Sequence, residues 1–196
     1  MNNIKIFILF FFAVIFYKDG FNQNISDSEC HYIYWEDFAE TEKEEIIKNK
    51  EIVNTAIEYY TKEIKTLTPD GPEMFDLLKE LTHSDNIDLV PFYFYVFNQI
   101  CLDQNASLGE VKGKYCIDFI KKHPCYFFNY FSRKTKKSNK IWNCYINRIK
   151  YEFLMNTDLK DSIYTHDYFE KWLLNINNNF CRTHLIKLFI SETNLE

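Results

Sequence analysis

The residues best suited to chemistry lie in one stretch, KKHPCYFFNYFSRKTKK at positions 121–137, where an aromatic cluster runs into a series of basic side chains. No acidic residue occurs between Asp118 and Glu152, whereas this interval holds nine lysines and arginines. Clustered cations attract anions, and neighbouring aromatic rings can stack on nucleic-acid bases. The stretch therefore predicts either a contact surface for an anionic partner or a buried aromatic turn followed by a hydrated loop.

The anionic contact is assigned to the basic residues at the end of this stretch: Arg133, Lys134, Lys136, Lys137 and Lys140. The partner is unknown, and the candidates are an acidic protein surface, a glycan or an anionic lipid. Nucleic acid is disfavoured, because the N-terminus predicts export. In the competing interpretation there is no ligand: Phe127, Phe128 and Phe131 share one side of a short helix and enter the core, while the cations are solvated.

The six cysteines are an even number, which suits an oxidising compartment. If residues 124–131 and 140–156 form a helical hairpin, the sulfurs of Cys125 and Cys144 would meet across it. We therefore predict a Cys125–Cys144 disulfide, with a weaker prediction that Cys30 pairs with Cys181. Buried free thiols are the alternative, because a chain of this length can fold without disulfides.

No G-x-S-x-G, H-E-x-x-H, C-x-x-C or glycine-rich phosphate loop occurs in the chain. Cys181 and His184 are three residues apart and could supply two zinc ligands, but no second pair accompanies them. We predict no metal, no cofactor and no catalytic residue, and we favour a non-catalytic binding or interaction module. The alternative is a small exported hydrolase or metal-dependent enzyme whose site is assembled from dispersed residues.

Helices must position these residues. Four glycines and four prolines are too few for the many turns of a β-sandwich, and a hydrophobic content of 46% is enough for a core. Apolar residues recur at helical spacing, which predicts about six or seven helices. Because the connections are short, we expect an all-α fold, an irregular bundle of antiparallel hairpins, with a short α-solenoid as the alternative.

Local signals set the predicted helix boundaries. The capping-box spacing of Thr41 and Glu44, followed by periodic apolar residues, predicts one long helix over 41–66. Pro124 has no amide hydrogen, so one helix should end before it and another should begin at it. Residues 132–139 are predicted to form a loop. The remaining helices are expected over 72–82, 88–103, 107–123, 124–131, 140–156 and from 165 onward.

Twelve apolar residues, Ile6–Tyr17, precede a polar segment. They are too few to cross a membrane, which takes about 20, and they fit the core of a secretory signal peptide. A buried N-terminal helix and an uncleaved anchor are the alternatives. We predict a signal peptide over 1–20, a segment of uncertain structure over 21–40 and a single helical domain over 41–196. The protein is expected to be secreted or periplasmic.

Overall fold

The computed structural model describes five stretches of the chain: residues 32–62, 71–103, 109–157, 163–176 and 183–194. All of them belong to one compact unit, His31–Glu196. The signal peptide predicted over 1–20 lies outside the described residues, and the predictions for it remain predictions.

Within these five stretches every regular element is helical, and no strand is formed, which confirms the all-α prediction. Two short 3-10 turns accompany the α-helices, at Trp35–Asp37 and Ile87–Leu89. The nine α-helices of the described residues are α1 (Glu40–Ile47), α2 (Asn54–Thr61), α3 (Pro72–His83), α4 (Val90–Leu102), α5 (Gly109–Lys122), α6 (Pro124–Phe131), α7 (Lys136–Met155), α8 (His166–Asn175) and α9 (Thr183–Thr193).

The long helix predicted over 41–66 is wrong, because the chain forms α1 and α2 with a turn between them. The side-chain oxygen of Asn49 accepts a hydrogen bond from the backbone amide of Glu51 at 2.9 Å. The backbone carbonyl of Asn49 accepts another from the amide of Ile52 at 3.1 Å. Asparagine offers the backbone this local alternative to the helical ladder. The segment expected to be helical from residue 165 onward, with an interruption at residues 177–179 as the alternative, contains two helices, α8 and α9, and the larger helix number follows.

Helix α4 lies at the centre of the fold. Its sequence VPFYFYVFNQICL is mostly apolar, and Phe92, Val96, Phe97 and Ile100 are fully buried. It contacts α2, α3 and α7 as well as the turn at Trp35–Asp37. Because each pair of helices in a solenoid contacts only its neighbours, a helix surrounded in this way defines a bundle.

Helices α5 and α7 approach each other most closely at Gly113. A Cβ atom added there would lie 2.6 Å from the Cβ of Glu152 and would also clash with the backbone carbonyl of Arg148. The contact joins the start of α5 to the end of α7, so these two helices run antiparallel. Glycine at this position therefore sets the spacing of the two longest helices in the described residues.

The break at Pro124 is confirmed, since α5 ends at Lys122 and α6 begins at Pro124. Proline occupies the first position of α6, where its missing amide hydrogen costs nothing. Phe127, Phe128 and Phe131 are buried, and the ring of Phe127 contacts the rings of Tyr145 and Phe189. The aromatic half of residues 121–137 is thus core.

Lys112 is a buried cation that the sequence pattern does not reveal. Its Nζ donates to the carbonyl oxygens of Ile100 at 2.6 Å and Asp103 at 2.9 Å, at the end of α4. The last carbonyls of a helix lack partners within that helix, so the ammonium group completes their hydrogen bonding. Burial lowers the pKa of Lys112 to about 8, and the nearby Arg148 acts in the same direction.

We expect folding stability to fall between pH 6.5 and 4 because of His123, at the junction of α5 and α6. Burial, assisted by the neighbouring Lys122, lowers the pKa of His123 from 6.5 to about 4 in the folded chain. The unfolded chain binds this proton more tightly, so the stability is fully present above pH 6.5 and is lost as pH falls toward 4.

The expected loss is on the order of 2 kcal/mol, measurable by urea unfolding across this pH range. His123→Gln should flatten the profile, since it removes the titrating group and leaves the nearby Asp85 and Lys122 in place. An equally steep profile in that variant would assign the effect to other groups.

Substituting Gly113→Ala should destabilise the protein. In an isolated helix this change stabilises by about 1 kcal/mol, because alanine has the higher helix propensity. Here the added methyl group meets the backbone of α7, so we expect a net loss of roughly 1–3 kcal/mol in urea unfolding. A gain in stability would show that α5 and α7 are not in contact at this position.

Candidate anion-binding face

Residues 32–38 form an N-terminal strap that crosses the bundle before α1 begins. The side chain of Trp35 is 2% exposed, and its ring centroid lies 5.0 Å from that of Phe92. The hydroxyl of Tyr126 donates to the Ile33 carbonyl at 3.2 Å. The rings around Trp35 come from the strap, α2 and α4: Phe38, Tyr60, Phe92 and Tyr95. The strap is therefore anchored by its tryptophan.

The two acidic residues of the strap bind two cations of the basic stretch. The guanidinium group of Arg133 donates to both carboxylate oxygens of Asp37, at 3.0 and 2.7 Å, and lies over the ring of Tyr34. The Nζ of Lys137 donates to Glu36 Oε1 at 2.7 Å. Glu36 also accepts a hydrogen bond from the hydroxyl of Tyr130. Almost a hundred residues of chain separate the two sides of this contact.

The basic stretch is shorter as a loop than predicted, because α7 begins at Lys136 and not at residue 140. Thr135 caps the helix: its hydroxyl accepts from the amide of Ser138 at 3.0 Å, and the Ser138 hydroxyl accepts from the amide of Thr135 at 2.8 Å. This is a capping box with serine in the place of glutamate or glutamine. The pattern Thr-x-x-Ser was the sequence signal for this start.

The five predicted contact residues therefore divide into two groups. Arg133 and Lys137 bind the strap, whereas Lys134, Lys136 and Lys140 are exposed and form no ion pair within the described part of the chain. We call these three lysines the basic face. They surround the first turns of α7, where no acidic residue occurs. Cations at this end of a helix oppose the helix dipole, so their placement lowers helix stability.

A second polar cluster surrounds Asp118 on α5. Its nearly buried carboxylate accepts hydrogen bonds from Lys114 Nζ at 3.1 Å and from the hydroxyl of Tyr164 at 3.0 Å. The Nε2 atom of His83 lies 3.6 Å from the same carboxylate, and its Nδ1 atom lies 2.9 Å from the hydroxyl of Thr82. Hydroxyl, imidazole and carboxylate thus stand in the order of a catalytic triad.

The hydroxyl of this series is not available to a substrate. Thr82 is fully buried, and its Oγ1 donates to the Leu78 carbonyl at 2.8 Å within its own helix. A nucleophile must be able to reach the atom that it attacks. The cluster instead joins α3, α5 and the turn at Tyr164.

The predicted Cys125–Cys144 disulfide is wrong, because Cys144 forms its disulfide with Cys101, with a Cα–Cα distance of 6.4 Å. Cys144 lies more than two turns into α7, where it meets the end of α4, the helix that carries Cys101. Cys125 is buried on the first turn of α6. The predicted Cys30–Cys181 pair lies outside the described residues. A disulfide is compatible with an oxidising compartment.

Across the described ranges, no cluster of three histidine, cysteine or acidic side chains is arranged to hold a metal ion. In the same residues, none of the helices combines the length and apolar character needed to cross a membrane. Comparisons with protein-family models, curated proteins and solved structures found no match for this chain.

Replacing Cys101 and Cys144 together by alanine should lower the free energy of unfolding by about 3–4 kcal/mol, since the bond closes a loop with a sequence separation of 43. Cys125→Ala, the control, should cost only about 1 kcal/mol, since it removes one small buried group. Urea unfolding under non-reducing conditions measures both effects, and a non-reduced peptide map should join the Cys101 and Cys144 peptides. A map joining Cys125 to Cys144 would restore the sequence prediction.

Proposed function

We propose that this is a non-catalytic binding protein of an extracytoplasmic compartment, and that it binds an acidic protein partner through the basic face. One observation carries the proposal: the basic stretch already holds the carboxylates of Asp37 and Glu36 from a distant part of the chain. Arg133 and Lys137, which make this contact, lie among the exposed residues Lys134, Lys136 and Lys140.

The geometry of the strap contact favours a protein partner over a glycan or a lipid. Arg133 engages Asp37 through two parallel hydrogen bonds and lies over the ring of Tyr34, with 5.0 Å between the guanidinium carbon and the ring centroid. A planar guanidinium group beside an aromatic ring suits a carboxylate presented next to aromatic side chains. Arginine and tyrosine are also enriched at protein interfaces. Binding to a lipid surface or a sulfated glycan would require only a cluster of positive charges, without an aromatic ring beside them.

The placement of the lysines supports a role for them. Lys136 and Lys140 lie one turn apart on α7, and like charges at this spacing repel each other. Both also oppose the dipole at the start of the helix. An acidic segment bound there would relieve both unfavourable terms. The chain as a whole carries a net charge of −5, so this local positive field would also orient the protein toward an acidic partner.

Two features support the proposed extracytoplasmic location. The apolar segment Ile6–Tyr17 has the length of a signal-peptide core, and Cys101 pairs with Cys144. Disulfides persist mainly outside the reducing cytoplasm. N-terminal sequencing of the protein recovered from its producing cell would test the export step, with a mature N-terminus near residue 21 as the expected result.

Neutralising the basic face should weaken binding of an acidic peptide. With a fluorescein-labelled oligoglutamate peptide at low ionic strength, Lys134→Gln, Lys136→Gln and Lys140→Gln together should reduce affinity about tenfold, since each exposed charge contributes a fraction of a kcal/mol. Fluorescence anisotropy measures the affinity, and binding to the wild type should weaken as salt is raised.

The matched control neutralises three exposed lysines elsewhere, Lys50→Gln, Lys171→Gln and Lys187→Gln, and should change affinity less than twofold. Equal losses in both triple variants would reduce the effect to net charge and contradict the proposal. Heparin and vesicles containing phosphatidylserine serve as further arms. Stronger binding to either of them than to oligoglutamate would assign the face to a glycan or a membrane.

A further inference from the structure

We infer that Glu36 and Asp37 are a built-in competitor for the acidic partner, and that they limit its access to Arg133 and Lys137. The inference rests on the proposed function, because it concerns the regulation of the same surface. The strap supplies carboxylates to two cations of a continuous basic stretch. A partner carrying several carboxylates would compete for those same cations.

The ion pairs of the strap are accessible and therefore exchangeable. The side chains of Arg133 and Asp37 are 37% and 40% exposed, and those of Lys137 and Glu36 are 44% and 32% exposed. Ion pairs at this level of exposure are screened by water and salt and contribute little to stability. Replacing one carboxylate by another on the same cation is thus a near-balanced exchange.

The exchange does not require the strap to leave the bundle. Trp35 is buried among four aromatic rings, and Tyr34 is buried beside Tyr126 and Tyr130. Glu36 and Asp37 instead lie at the surface of the strap. Rotation of their two side chains, with loss of the hydrogen bonds from the Tyr130 hydroxyl and the Tyr34 amide, would release both cations while the aromatic anchor stays in place. The strap would act as a fixed scaffold with two mobile charges.

The exchange changes the number of positive charges that the basic stretch presents to a partner. Arg133, Lys134, Lys136, Lys137 and Lys140 give five positive charges, and Glu36 and Asp37 cancel two of them, which leaves three. Once the two carboxylates rotate away, an acidic partner faces all five. The strap therefore weakens binding of partners with few carboxylates and permits binding of partners with several.

The test is the variant Glu36→Gln with Asp37→Asn. Both amides keep an oxygen that accepts hydrogen bonds, so the contacts from Tyr130 and from the Tyr34 amide can persist. Affinity for the labelled oligoglutamate peptide should rise about three- to tenfold, and its salt dependence should steepen, because two more cations become available. Circular dichroism verifies that the helical fold is kept.

The matched control, Glu44→Gln with Glu45→Gln, removes the same charge from exposed positions of α1 and should leave affinity within twofold. In a background carrying Arg133→Gln and Lys137→Gln, the strap variant should give no gain, since the released cations are absent. A gain that persists in this background would overturn the inference.

The outcomes for the two proposals are distinct. If the peptide binds the wild type through the basic face and the strap variant behaves like the α1 control, the inference fails and the proposed function stands. If neither the wild type nor the strap variant binds the peptide, the proposed function fails and the inference fails with it. Binding by the strap variant alone would support both and indicate nearly complete inhibition.

Discussion

Burial of α4 is the constraint on which the rest of this structure depends. The helix is mostly apolar, so most of its surface must be covered, and α2, α3, α7 and the strap contribute to that cover. Two polar side chains taken into this core have partners: Asn98 accepts from the hydroxyl of Tyr145, and Lys112 donates to the carbonyl of Ile100 near the end of the helix. Unpaired polar groups at such depth would cost stability.

The same requirement places the strap on the basic stretch. Trp35 covers α4 at Phe92, and once its ring is fixed there, the next two residues of the strap reach Arg133 and Lys137. Hydrophobic burial therefore supplies the energy of docking, and the exposed ion pairs supply its orientation.

Some features of the fold could be predicted from the sequence and others could not. Pro124 and the apolar run of α4 act through local backbone chemistry and through hydrophobicity, and the helices that they predict are present. The turn at Asn49 was missed, because a side chain competed with a helix whose apolar spacing continued through it. The disulfide prediction is wrong, because it considered only the neighbouring helix α6, whereas Cys144 meets Cys101 on α4, which is 43 residues away in sequence.

The sequence by itself determined the all-α class and the positive charge of residues 133–140, because these follow from composition and from spacing along one segment. It offered burial of the aromatic cluster as one of two interpretations, and the structure decided between them. Only the tertiary structure decided which cations are occupied. Asp37 and Arg133 are 96 positions apart in the sequence, and Glu36 and Lys137 are 101 positions apart. No local sequence pattern relates residues at such separations. Their pairing depends on how Trp35 packs against α4, which is a property of the folded core.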